Sequence, residues 1–302
     1  TSARKITVPG ADLPQVYALR TATDARAMRN ALPEMRKVVV IGGGFIGLEA
    51  AAMLSARGVQ VDVVEVASRL LGRATSEIVA QAIADHLRKI GVRLHLNKSV
   101  KAILAEDGAV SGAQLGDTLL GADHVLVGVG AIPMDGLAQE AGLSVANGIV
   151  VDAYMATDDP DISSIGDCVS FPQAHLERQT RLESVQNATD QARALALTLT
   201  GVQTRYTAVP WFWSDIGTLK LQIAGLSDAP DELIETHDAD GVLKSVYHLK
   251  RGRLIACETL NSAGEHMLSR RMISDGFTPD IGLLADGDAK ALKQAYQSAL
   301  HR

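Results

Sequence analysis

The amino-acid sequence predicts an α/β fold, with parallel strands alternating with helices in its first half, followed by a separate α+β domain at the C-terminal end. Three observations carry this. A fully apolar run at 38–41 leads into a glycine cluster and then a helical pattern. A second strand-like, valine-rich run, at 59–65, follows one helix later. After residue 207 the composition changes: Trp211, Phe212 and Trp213 are three of the chain's six Trp and Phe residues, and short strand-like segments separated by turns take over.

The elements follow in order. Residues 1–34 read as an irregular lead and a short helix over 23–32. The run 38–41 lacks apolar–polar alternation, as expected of a strand covered on both faces in a parallel sheet. The helix over 45–57 ends at Gly58, because glycine accepts the left-handed conformation past a helix terminus. After the strand 59–65, Ile78, Val79, Ala82, Ile83, Leu87 and Ile90 recur at helical spacing, which predicts a helix over 76–90 with Ser76 as N-cap and Gly91 as stop. A strand at 92–96 comes next. Asp107-Gly108 and Gly116-Asp117 are turns of a small antiparallel meander, and 124–129 returns to a buried strand. A short strand at 163–165 and a long helix at 183–200 follow. The last part contains strands at 218–224, 233–236, 242–249 and 253–260, then helices at 266–275 and 289–300.

Bulk properties exclude several classes. The 302 residues suffice for two or three domains at about 100–200 residues each. A net charge of −6 argues against general nucleic-acid binding, which needs a basic surface. There is no apolar run long enough for a transmembrane helix, and the first residues lack the apolar core of a signal peptide. The only two cysteines, Cys168 and Cys257, are far apart, so no disulfide framework is expected and a reducing cytoplasm fits. The eight histidines are scattered, so no structural metal site is expected.

The chemistry concentrates at Gly42-Gly43-Gly44-Phe45-Ile46-Gly47, a GxGxxG pattern. Gly42 permits the tight turn out of the strand, Gly44 lets backbone approach a pyrophosphate, and Gly47 lets helix and strand pack closely. The pyrophosphate would rest on the helix N-terminus, where free N–H groups favour negative charge. The pattern follows a strand, opens a helix, and is followed by a second strand ending at Glu65, eighteen residues past Gly47. That context reads as a Rossmann-type dinucleotide site rather than a bare glycine-rich turn. A carboxylate at Glu65 would accept the ribose hydroxyls of NADH and repel the 2′-phosphate of NADPH. Arg69, just beyond, is either a solvated loop charge or a group able to reach such a phosphate.

Beyond the glycines, the sequence resembles the NADH:ferredoxin reductases that serve Rieske dioxygenases and bacterial cytochromes P450, a family that includes putidaredoxin and rubredoxin reductases. Five segments carry the resemblance in family order besides the stretch 41–49: Gly128-Val-Gly-Ala-Ile-Pro133, Gly148-Ile-Val-Val-Asp152, Ile165-Gly-Asp-Cys168, Leu182-Glu-Ser-Val-Gln-Asn-Ala188 and Val209-Pro-Trp-Phe-Trp-Ser-Asp215. It implies a two-dinucleotide-binding-domain, glutathione-reductase-like flavoprotein with FAD and NAD as cofactors. Electrons would pass from NADH to FAD by hydride transfer, then singly to a [2Fe–2S] ferredoxin or rubredoxin feeding an oxygenase.

Site roles carried over by the resemblance are these. Glu49 contacts the nicotinamide carboxamide, Ile46 lies beside the nicotinamide ring, and Gly130 belongs to the NAD site. On the FAD side stand Arg20, Asp167 on the ribityl chain, and Glu183, Ser184 and Val185 at a helix start facing the flavin C2 carbonyl. Trp213 stands between flavin and the iron–sulfur partner. Each has a plainer reading as turn, cap or core residue. Met134 after Pro133 and Ile216 after Asp215 depart from the family's usual Asn and Gln.

The domains expected on this basis are 1–34, a remnant of the first FAD-domain half with linker; 35–147, the NAD domain; 148–206, the second half of the FAD domain; and 207–302, a C-terminal interface domain. Only one GxGxxG occurs, so the FAD-pyrophosphate unit, about 100 residues, is expected to be missing and the FAD domain incomplete. Lys250, Arg251, Arg253, Arg270 and Arg271 are the densest basic segments and candidates for steering an acidic partner. Two other functions stay open: a flavin disulfide reductase relative, and a flavin-free NADH-binding fragment without redox activity. Oligomeric state is left open.

Overall fold

Val38, Val39 and Val40 are β-branched, have no polar residue interleaved, and sit at the centre of a parallel sheet with almost no exposure. The computed structural model describes residues 1–174, 176 and 178–301. The chain divides into two units, one of Ser2–Ile132 with Ser214–Lys220, the other of the rest.

The first unit begins with β1 (Ser2–Ala3), β2 (Val16–Ala18) and α1 (Ala22–Ala31), then β3 (Lys37–Ile41), α2 (Phe45–Ser55), β4 (Gln60–Val64), α3 (Glu77–Lys89) and β5 (Arg93–His95). A meander of β6 (Ala102–Glu106), β7 (Ala109–Leu115) and β8 (Thr118–Gly121) precedes β9 (His124–Val127) and β10 (Ala131–Ile132). The main sheet has the order β2-β9-β3-β4-β5 and is parallel throughout. The expected irregular lead thus supplies an edge strand. Three residues are too few to show a period, so β2 is fixed by its pairing with β9 rather than by its own pattern.

One buried charge stands inside this sheet. Asp62 of β4 is 2% exposed. Arg93 donates Nε–H to its Oδ1 at 2.7 Å and Nη2–H to its Oδ2 at 2.5 Å, and His95 Nε2 lies 2.8 Å from Oδ1. Burial pushes the Asp62 carboxyl up, but the hydrogen bonds from Arg93 and His95 outweigh it and hold the group below the ordinary carboxylate range. A depressed carboxyl stabilises the fold above its unfolded pKa, and that stability is lost as pH falls through the folded value. Asp62→Asn is expected to cost about 2 kcal/mol at neutral pH, between the values for fully buried and exposed ion pairs because Arg93 is half-exposed. The gap from the parent should begin to narrow below about pH 4 and close as pH falls through the folded value, which urea titrations at a series of pH values would read.

The second unit contains α4 (Gly136–Glu140), β11 (Ile149–Val150), a 3-10 turn at Gly166–Cys168, β12 (Val169–Gln173), β13 (Arg178–Thr180) and α5 (Val185–Leu199). Its last part has β14 (Trp211–Ile216), β15 (Leu219–Gly225), β16 (Glu232–His237), β17 (Leu243–Lys250) and β18 (Arg253–Leu260), closed by α6 (Ala263–Ser274), α7 (Ile281–Asp286) and α8 (Ala289–Leu300). One sheet is β11-β12-β13, the other β14-β15-β18-β17-β16. Tyr247, Cys257, Met272, Leu284 and Leu292 form the core under the larger sheet. The tip of the β14–β15 hairpin, Ser214–Lys220, counts with the first unit.

Two expectations change here. Residues 163–165 do not form a strand: Ser163 makes one isolated bridge to Ala156, and the strand starts past the glycine-led turn, at Val169. The aromatic run at 211–213, read only as a cluster, is the start of β14. Cys168 and Cys257 are free thiols. No helix among the described residues is long and apolar enough to cross a membrane.

Candidate functional site: a dinucleotide cleft

The turn from β3 to α2 opens a cleft of about 590 Å³ whose lining includes Gly42, Gly44, Phe45, Glu65, Arg73 and Gly130. Gly42 has φ +108°, and a Cβ there would lie 2.4 Å from the Gly128 carbonyl oxygen. Only glycine fits. At Gly44 the situation is opposite: φ is −86°, and the nearest atom to a Cβ would be 3.9 Å away. The protein leaves that space open. Gly44 is the N-cap of α2, no side chain caps the helix, and its first turn has no acidic residue. An uncapped N-terminus beside open space is what a pyrophosphate needs. These residues fit a bound dinucleotide.

Glu65 stands just past the end of β4. Its Oε2 accepts the Gly43 N–H at 2.7 Å and its Oε1 accepts the Ala67 N–H at 2.7 Å, so the carboxylate is fixed in the cleft wall. Arg69 donates to the Thr75 carbonyl at 2.8 Å and to the Gly72 carbonyl at 2.7 Å. It ties its own loop together and is already engaged there. Phe45 and Glu49 are one helical turn apart on α2, hence on one face. Ile46 is exposed. Glu49 Oε1 accepts the Ser214 hydroxyl at 2.5 Å and the Asp215 N–H at 3.3 Å.

Of the FAD-side candidates, Arg20 belongs to the first unit, where its backbone N–H donates to Asp24 at the start of α1. Asp167, Glu183, Ser184 and Val185 belong to the second. Ser184 caps α5 by accepting the Asn187 N–H at 3.1 Å, and Val185, the first helical residue, is 68% exposed. An apolar side chain left in the open at a helix N-terminus is the fitting feature for a flavin there. The Asp167 turn is tied to α5 by Gly166 N–H donating to Gln191 Oε1 at 2.7 Å. Arg181 braces the same place: it donates to the Asp167 carbonyl at 3.1 Å and pairs with Glu183.

Sequence reasoning missed Ser214, Arg181 and Gln191 as supports. No local pattern marks them, because each meets a partner far along the chain. The basic candidates also separate. Lys250 donates to the Asp228 carbonyl at 2.7 Å and its carboxylate at 3.1 Å, and the Arg270 guanidinium lies 4.4 Å over the Trp211 ring. Neither is a free surface charge. Arg251, Arg253 and Arg271 are exposed. Near Arg270, burial and the guanidinium push His266 down to about 4, so its ring is neutral. Trp213 is 40% exposed and tilted against Trp211, with ring centroids 5.5 Å apart.

Comparison with known proteins bears on all of this. The pyridine nucleotide-disulphide oxidoreductase family model matches residues 1–192, and a reductase C-terminal model matches 211–296. Rhodocoxin reductase of Rhodococcus erythropolis is 41% identical over 291 residues, covering 95% of this chain and 68% of that protein. The ferredoxin reductase for the CYP199A2 system from Rhodopseudomonas palustris superposes with a TM-score of 0.93 at 41% identity, over 98% of this chain and 74% of that one. Putidaredoxin reductase in its covalent complex with putidaredoxin also gives 0.93, at 34% identity, over all of this chain and 74% of that one. The expected two-domain flavoprotein architecture with its C-terminal domain is the one these structures have, although the comparisons do not show an incomplete FAD domain. With the family model matching residues 1–192 and a relative 41% identical over 95% of its length, the chain belongs to the pyridine nucleotide-disulphide oxidoreductase family.

Proposed function

We propose that this protein is an NADH-dependent ferredoxin reductase, a flavoprotein that uses FAD and NAD and hands electrons to a [2Fe–2S] ferredoxin or a rubredoxin serving an oxygenase. The observation that carries the reading is the cleft itself, with open space at Gly44, an uncapped helix N-terminus and a fixed carboxylate at Glu65. The named relatives support the choice of electron acceptor.

FAD, when bound, takes two electrons together from NADH and releases them one at a time, as an iron–sulfur acceptor requires. The residues do the rest. Gly42–Gly47 cradle the pyrophosphate, Glu65 takes the ribose hydroxyls, and Glu49 orients the nicotinamide. Val185 and the start of α5 offer N–H groups and a positive dipole end to the side of the flavin where negative charge gathers. Asp167 holds the ribityl chain. Two free, widely separated cysteines support a reducing, cytoplasmic location.

The test is the FAD content of the purified chain together with NADH-driven reduction of a [2Fe–2S] ferredoxin. Stoichiometric FAD and ferredoxin reduction are expected; NADH binding without flavin would leave a nucleotide-binding protein and overturn the reading. Trp213 gives a second check. Trp213→Ala is expected to raise the KM for ferredoxin roughly 30-fold, equivalent to about 2 kcal/mol for a lost aromatic anchor. NADH-to-ferricyanide turnover, which needs no docking, should change less than about twofold on the same argument.

A further inference from the structure

Glu49 has three side-chain torsions, and fixing such a chain costs rotamer freedom. The fold meets that cost before any ligand arrives. Both donors to the Glu49 carboxylate, the Ser214 hydroxyl and the Asp215 N–H, go to Oε1. Oε2 has no donor among the described residues.

Ser214 is itself held. Along β14, Ser214 and Ile216 point inward and Trp213 and Asp215 outward. Ser214 is 1% exposed and Ile216 fully buried, so Ile216 is an apolar anchor for the strand end. At the turn beyond, a Cβ on Gly217 would lie 3.6 Å from the Ala52 Cβ of α2 and 3.9 Å from the Ile90 Cδ1 at the end of α3. The hairpin tip is therefore seated on α2 and α3, which fixes the backbone that carries the hydroxyl.

We propose that Ser214 is a positioning residue for NADH: it clamps Glu49 Oε1 so that Oε2 is presented as a fixed acceptor to the carboxamide N–H of the nicotinamide. A carboxylate accepts and does not donate, so the arrangement selects for an amide-bearing ring. The inference rests on the reading that Glu49 meets the nicotinamide.

The experiment is calorimetric titration of the full chain with NAD⁺ and with its 3-acetylpyridine analogue, in which a methyl ketone replaces the carboxamide and removes the N–H donor. Parent, S214A, S214T and E49A proteins are compared. S214A should weaken NAD⁺ binding about five- to tenfold, the effect of one charge-assisted hydrogen bond less what the Asp215 N–H retains. The analogue should be affected less than about twofold, because it makes no such bond. S214T, which keeps a hydroxyl, should recover most of the loss. If S214A weakens both dinucleotides equally, or S214T fails to rescue, Ser214 is only a strut and the proposal is overturned. If E49A weakens NAD⁺ selectively and S214A does not, the Ser214 inference fails while the Glu49 reading stands. If E49A shows no selectivity, the Glu49 reading itself fails.

Discussion

Gly44→Val is expected to weaken NADH binding roughly 30- to 150-fold, the equivalent of about 2–3 kcal/mol of steric conflict. Its melting temperature should stay within about 2 °C of the parent. The reasoning is local. The backbone at Gly44 has φ −86° and ψ 175°, an extended conformation that any residue adopts. A Cβ there meets nothing closer than 3.9 Å. The folded chain therefore tolerates the branch, and only a ligand lying across the α2 N-terminus would collide with it. Gly42→Ala provides the contrast. Its φ of +108° and a Cβ 2.4 Å from the Gly128 carbonyl oxygen set a small side chain against fixed backbone. That change should cost about 3 kcal/mol of stability or more, from strain and overpacking together. Calorimetric binding and thermal melts on both variants separate the two roles. Undiminished NADH affinity in Gly44→Val would mean that the pyrophosphate lies elsewhere.

The contrast also shows how far the sequence could be read. The placement of Gly42, Gly44 and Glu65 around one turn was legible because the βαβ unit is short and its parts are close in sequence. The strand–turn–helix that carries them is specified by a valine run, a glycine cluster and Gly58. β16, β17 and β18 were legible for the same reason, since hairpin partners are neighbours. What was not legible depends on distant pairing. β2 has no period of its own and exists because Val16–Ala18 finds β9 more than a hundred residues later. Ser214 reaches Glu49 across 165 positions. Arg270 and Lys250 look like surface charges in sequence, yet one lies over an indole ring and the other is tied to Asp228. The aromatic run at 211–213 was visible as composition, but its place as a strand depends on β15 lying beside it.

Glu65→Ser is expected to shift preference from NADH toward NADPH by roughly 150-fold, about 3 kcal/mol of removed repulsion between a carboxylate and a 2′-phosphate. An ionised carboxylate has about four lone-pair sites, and two accept the Gly43 and Ala67 N–H groups. The remainder can take ribose hydroxyls, so serine loses part of the NADH contact while it relieves the charge conflict. Arg69 is not expected to become the phosphate's partner, since its guanidinium already closes the loop through Thr75 and Gly72. Arg73 and Lys98, which also line the cleft, are the cations that a phosphate would meet. The mechanism has a signature beyond the ratio. Repulsion between charges near solvent is screened by salt, so the parent's rejection of NADPH should soften as ionic strength rises, whereas that of the serine variant should not. A preference that is unchanged in Glu65→Ser, or equally salt-sensitive in both proteins, would show that discrimination arises from some other part of the cleft wall.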